Sequence, residues 1–278
     1  MMQLFDQTAF ECSKLVTKRY STSFSLGIRA FDDKYREPIY NIYGFVRFAD
    51  EIVDTFHQQD KPLLLSEFRD ATFQSIERGI SLNPILHSFQ HTVNKYRLDH
   101  NHITAFLDSM EMDLHDIEYD QTTLKKYIYG SAEVVGLMCL QVFCEGDQSL
   151  YQGLEPYAVS LGSAFQKINF LRDIKADYVE NGRVYFPNVD FDNFSQADKD
   201  EIEKDIKAEF DHALIGIKRL PKGARLGVFL AFRYYLSLFS KIQSAPAATI
   251  LSKRVRITNG KKMLLLTTSS IKNQLNLI

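Results

Sequence analysis

A chain of 278 residues with 45% hydrophobic and 24% charged side chains has the make-up of a soluble globular protein that can bury a sizeable core, expected here as one domain over 1–278. A formal charge of -2 gives no overall pull toward nucleic acid, and Cys12, Cys139 and Cys144 form neither a disulfide framework nor a metal-ligand pattern, as expected in a reducing cytoplasm. No basic-then-apolar leader opens the chain and no run approaches roughly 18 consecutive apolar residues, so any membrane contact is expected to be peripheral.

Apolar residues recur at helical spacing almost throughout, with Gly and Pro between the periodic stretches. The spacing predicts helices at about 3–18, 34–56, 63–78, 84–95, 102–116, 122–143, 152–180, 196–217, 223–242 and 247–273. The segment 181–195 reads as an irregular loop that could cover a neighbouring site. The expected fold class is all-α: a helical bundle with a central cavity, its ligand site built from side chains on facing helices.

Two acidic segments carry the chemistry. Asp50 and Asp54 lie four apart in Val46-Arg47-Phe48-Ala49-Asp50-Glu51-Ile52-Val53-Asp54, and Asp173 and Asp177 repeat the interval in Asn169-Phe170-Leu171-Arg172-Asp173-Ile174-Lys175-Ala176-Asp177. On a helix this spacing sends both carboxylates to one side, where they repel by about 0.2 to 0.5 kcal/mol per pair unless a cation lies between them. Mg2+, with Mn2+ as substitute, takes one or two carboxylates together with phosphate oxygens, so the pattern suits a metal that arrives with a diphosphate. Arg47 and Arg172 add the positive charge a departing diphosphate needs.

Other acids in the chain carry less. Glu201, Asp205 and Glu209 alternate with Lys204 and Lys207, as on a solvated helix face, and Asp116 and Asp120 precede Gln121-Thr122-Thr123, where capping is the simpler role. The segments 46–54 and 169–177 differ because their acids sit among aromatic and aliphatic residues.

The stretch Gln166-Lys167-Ile168-Asn169-Phe170-Leu171-Arg172-Asp173, continuing to Asp177 and Arg183-Val184-Tyr185-Phe186-Pro187, resembles the Gln-x-x-Asn-x-x-Arg-Asp signature and Arg-x-Tyr-x-Pro tail of the squalene and phytoene synthases. Tyr127-Ile128-Tyr129, Ala132 and Val135-Gly136 resemble that family's Tyr-x-Tyr-x-x-Ala-x-x-Val-Gly element. The likeness runs from Tyr20-Ser21-Thr22-Ser23-Phe24 to Lys253-Arg254-Val255 and is nearest to bacterial phytoene synthases. It implies an isoprenoid-synthase fold, with Mg2+ held by Asp50, Asp54, Asp173 and Asp177. It also implies that Arg47, Arg172, Ser21, Tyr43, Tyr127, Gln166, Asn169, Tyr185, Tyr235 and Arg254 bind prenyl diphosphate or line its entrance. Each has a plainer role open to it: Ser21 as a helix cap, Tyr43 and Tyr185 as core aromatics, Gln166 and Asn169 as helix polar residues. Ala176 stands where a Glu is common, and Glu133 with Gly130-Ser131 alters the Tyr-rich element.

The implied reaction joins two geranylgeranyl diphosphates head-to-head through a cyclopropylcarbinyl diphosphate to give phytoene, without NADPH. Aromatic faces that could meet positive carbon are Phe24, Phe45, Phe48, Phe165, Phe170 and Tyr235, and Gly136, Gly162, Ser163 and Ala164 could leave room for long chains or simply allow close packing. Alternatives are squalene or dehydrosqualene formation from farnesyl diphosphate, and a non-catalytic scaffold. The basic run Lys253, Arg254, Arg256, Lys261 and Lys262 suits a solvated or lipid-facing surface.

Overall fold

The computed structural model describes residues 2–115, 117, 119–175, 178, 185–187, 189 and 193–274, and all regular structure among them is helical. In chain order the helices are α1 (Met2–Tyr20), α2 (Thr22–Arg29), α3 (Asp33–Asp54), α4 (Lys61–Arg78), α5 (Pro84–Tyr96), α6 (His100–Met112), α7 (Gln121–Ile128), a π turn (Tyr129–Glu133), α8 (Val134–Cys144), α9 (Gln148–Ile174), α10 (Gln196–Arg219), α11 (Lys222–Gln243), α12 (Ala247–Ser252) and α13 (Asn259–Gln274).

Side-chain caps explain many of the starts. Asp60, Asn83, Asp99, Asp120 and Asp147 each accept a backbone N–H from the first turn of the helix they precede, and Ser195 opens α10 with a capping box completed by Asp198. Asp120 is therefore a cap, as its position in the sequence indicates; Asp116 lies outside the described residues.

Four expected boundaries need correction. Helix α2 lies outside the expected set; Ser21 starts it by accepting the Phe24 N–H at 3.1 Å. The helix expected over 102–116 ends at Met112. The helix expected over 122–143 contains the π turn, where Gly130 and Gly162 let neighbouring backbone approach: a Cβ on Gly130 would lie 2.4 Å from the Ala105 carbonyl oxygen, and one on Gly162 2.8 Å from the Glu133 Cα. The helix expected over 247–273 breaks at Lys253–Thr258, where Val255 and Ile257 are buried and Arg254 and Arg256 exposed, the two-residue alternation of extended chain.

Two apolar clusters form the interior, and α9 contributes to both. In the first, Phe45 of α3 stacks on Phe89 of α5 at 3.9 Å with Phe106 at 5.4 Å, and Phe45→Ala would cost about 3–5 kcal/mol. The second gathers Ile168, Phe170 and Leu171 of α9 with Phe210 of α10, and Phe232 and Phe239 of α11. Gln121–Cys144 is long and apolar enough to cross a membrane by composition, but it packs against α6 and α9 as interior helix.

Candidate active site

Asp50, Glu51 and Asp54 crowd the end of α3, whose last turn holds no basic residue. A helix C-terminus is electronegative, so acids there oppose the macrodipole and need compensation. Arg47 supplies part of it: its guanidinium contacts Asp50 at 3.2 Å, pairs with Glu51 and lies 4.6 Å from the Tyr20 ring. The compensation is incomplete. Burial, then the charge of Asp54 and to a smaller extent that of Asp113, raises the Asp50 carboxyl to about 7 against the pull of Arg47. The same side chain keeps 34% exposure. A group both desolvated and reachable by solvent lies in a recess rather than on an open face.

Asp173 at the end of α9 has the opposite surroundings. Arg172 donates through Nη2 to its Oδ2 at 2.6 Å, and Arg254, carried by the extended segment between α12 and α13, donates through Nε to Oδ1 at 2.7 Å. One turn back, Tyr235 of α11 donates its hydroxyl to Asn169 Oδ1 at 3.2 Å, and Asn169 in turn donates to Gln166 Oε1 at 3.4 Å.

Aromatic side chains flank these surroundings. Tyr43 of α3 hydrogen-bonds Ser21; burial raises its hydroxyl and Arg47 lowers it, with smaller raising effects from Asp50 and Tyr235. Burial raises the Tyr235 hydroxyl, Arg172 and the hydrogen bond to Asn169 lower it, and Asp173 adds a smaller raising effect. On the other side Tyr127 donates to both oxygens of Asp113, at 2.9 and 3.1 Å, and its ring stacks on Tyr185, which lies 4.1 Å from Phe170 of α9. Ser21, Tyr43, Arg47 and Asp50 thus form one group about the end of α3, with Asp54 beside Asp50, and Gln166, Asn169, Arg172, Asp173, Tyr235 and Arg254 another about the end of α9, while Tyr127 and Tyr185 lie between Asp113 and Phe170. Asp177, Ala176 and Arg183 lie outside the described residues.

Among the described residues no three His, Cys, Asp or Glu side chains make a ready metal set. The carboxylates at the end of α3 do fit a divalent ion in another way. They are hard oxygen donors with more negative charge than Arg47 balances, and Mg2+ completes its shell with water and phosphate oxygens.

Other candidates separate by burial. Phe45 and Phe170 are core residues, whereas Phe24, Phe48, Phe165 and Tyr235 are partly exposed; Phe24 stacks on Tyr43 at 5.0 Å and Phe165 on Tyr235 at 3.9 Å. Gly162 and Ala164 serve close packing and Ser163 donates to Glu209 Oε1 at 2.6 Å, while a Cβ on Gly136 would meet only the Ala158 carbonyl oxygen, at 3.5 Å. In the acidic ladder Glu201 and Asp205 are exposed, but Glu209 turns inward to Lys167 at 2.7 Å. Asp113, Glu51 and Tyr20 escaped sequence reasoning. Asp113 carried a usable signal, since it sits between Met112 and Leu114 as Asp50 sits among apolar neighbours.

The architecture is that of the all-α isoprenoid synthases: a dehydrosqualene synthase solved with a bound ligand superposes with a TM-score of 0.82 over 97% of this chain and 98% of that one, at 19% identity. The family model described as squalene/phytoene synthase matches residues 17–261, and the chain belongs to that family of prenyltransferases. A 15-cis-phytoene synthase from Synechocystis is 27% identical over 96% of this chain and 86% of its own, and a 4,4'-diapophytoene synthase from Staphylococcus haemolyticus is 25% identical over 89% and 91%.

Proposed function

We propose that this chain joins two geranylgeranyl diphosphates head-to-head to give phytoene. The observation that carries the reading is the arginine–carboxylate pairing at the ends of α3 and α9, Arg47 on Asp50 and Arg172 with Arg254 on Asp173, the latter beside the partly exposed ring pair of Phe165 and Tyr235. Mg2+, or Mn2+ in its place, would be held by Asp50, Asp54, Asp173 and Asp177 and would supply positive charge to the leaving diphosphate.

Arg47, Arg172 and Arg254 present guanidinium groups to the same diphosphate and gain importance as its negative charge grows. When the carbon–oxygen bond of the first substrate breaks, the allylic cation left behind faces Phe165 and Tyr235, whose ring faces favour positive carbon. The double bond of the second substrate attacks that cation, and loss of a proton closes the cyclopropane. Departure of the second diphosphate, rearrangement and a further proton loss give the hydrocarbon without a reductant. The Tyr127, Tyr185 and Phe170 stack walls the site and keeps water from the cations.

A second reading, dehydrosqualene formation from farnesyl diphosphate, is favoured by the likeness to the diapophytoene synthase. Incubation of the purified protein and Mg2+ with each diphosphate, with and without NADPH, then identification of the hydrocarbon, separates the two. Phytoene from geranylgeranyl diphosphate without NADPH is the expected product. A C30 product from farnesyl diphosphate alone selects the second reading, and no hydrocarbon from either refutes both.

A further inference from the structure

The net charge of -2 hides a division. All 35 Asp and Glu residues lie at or before Asp211, whereas the residues after it carry 12 of the 33 Lys and Arg and no carboxylate side chain. That final part forms the last turns of α10 and all of α11, α12 and α13. Helices α11 and α13 are joined where Arg233 donates to Thr268 Oγ1 at 3.0 Å, and the extended segment is joined to α11 where Lys241 donates to the Arg256 carbonyl oxygen at 2.8 Å. Both acceptors are neutral, so the positive charge stays uncompensated. Among the described residues after Asp211, only Arg254 enters an ion pair.

Lys241, Lys253, Arg256, Lys261 and Lys272 are exposed. Along the α11–α13 seam, three residues from Arg233 and four from Thr268, two leucines face solvent: Leu236 at 38% and Leu264 at 62% exposure. Exposed lysines and arginines around protruding leucines match a bilayer surface, where cations meet anionic headgroups and short apolar side chains enter the boundary beneath them. A nucleic acid would use the charge but leave the leucines without a partner.

We propose that the face formed by α11, the 253–258 segment and α13 docks on the anionic surface of a lipid bilayer. The segment that carries Arg256 also carries Arg254 to Asp173, so docking brings the candidate active site close to the membrane. That last consequence rests on the proposed function; the docking itself does not, and it is measured without turnover.

The test is co-sedimentation of the full chain with phosphatidylcholine vesicles, with and without a third of phosphatidylglycerol. Binding to the anionic vesicles should be tighter by about 100-fold or more and should weaken as salt is raised. Lysine and arginine each contribute about a fivefold change in partition at an anionic surface, so a Lys253→Glu, Arg256→Glu, Lys261→Glu variant should lose about 100-fold or more. The milder triple replacement by Gln should fall between this variant and the parent, and Leu264→Ser should weaken binding at unchanged charge. Equal partition into both vesicles, parent-like binding by both triple variants, or tighter binding to single-stranded RNA than to anionic vesicles would each overturn the proposal.

Discussion

Glu133 offers a quantitative test of the electrostatics around α9. It closes the π turn, with its Cα against Gly162, and feels the charges of Glu209 and Lys167, which pair with each other while Lys167 also contacts Asp205. Burial and then the charge of Glu209 raise its carboxyl from 4.5 to about 7, with Lys167 pulling the other way. Such a group favours the folded state when protonated. That stability is fully present below pH 4.5 and is lost as the pH rises through 7. The shift sets a ceiling of roughly 3 kcal/mol, and partial solvent access brings the usable part to about 1.5 kcal/mol. Glu133→Gln keeps the shape and removes the charge, so at pH 8 it should stabilise the protein by about 1.5 kcal/mol, with most of the gain gone by pH 5. Urea unfolding curves at the two pH values measure this. A gain equal at both, or a loss at pH 8, would refute the assignment of Glu133 to a desolvated anionic cluster.

Asp50→Asn or Asp173→Asn should abolish hydrocarbon formation while leaving helical circular dichroism unchanged, and EDTA should stop the parent enzyme until excess Mg2+ restores it; near-normal turnover in both variants would remove the metal assignment. Tyr20→Phe, which keeps the ring over Arg47, should preserve the KM for prenyl diphosphate, whereas Tyr20→Leu should raise it about fivefold with little change in thermal stability. Lys199 is fully buried against Glu203 at 2.5 Å, so Lys199→Ala should cost about 3–5 kcal/mol in chemical denaturation, and pairing Lys199→Met with Glu203→Leu should recover most of it.

Long periodic helices such as α3, α9 and α11 were legible because each buries one stripe along many turns. The π turn was not, because one extra residue in a turn leaves the apolar pattern almost unchanged while rotating α8 about its axis. The extended segment after α12 was hidden in a different way: Val255 and Ile257 fit a helical stripe as readily as a two-residue alternation. At the candidate site the acids stood out because charge among aromatic residues needs a reason. Asp113 met the same criterion but stood alone, and its link to Asp50 depends on α6 and α3 being neighbours, which spacing along the chain does not reveal. Tyr20 gave less, since only the packing of the end of α1 beside α3 places its ring on a guanidinium.

The partition of charge around Asp211 has a consequence in solution. With a pI near 6.4, the protein counts as almost neutral at pH 7, yet its charge is unevenly divided, with 12 cationic side chains and no carboxylate side chain after Asp211. In dilute buffer such particles attract one another head to tail, and added electrolyte shields the attraction. Light scattering should therefore show association at low ionic strength that reverses as sodium chloride is added, and the protein should be retained by cation-exchange resin even above its isoelectric point.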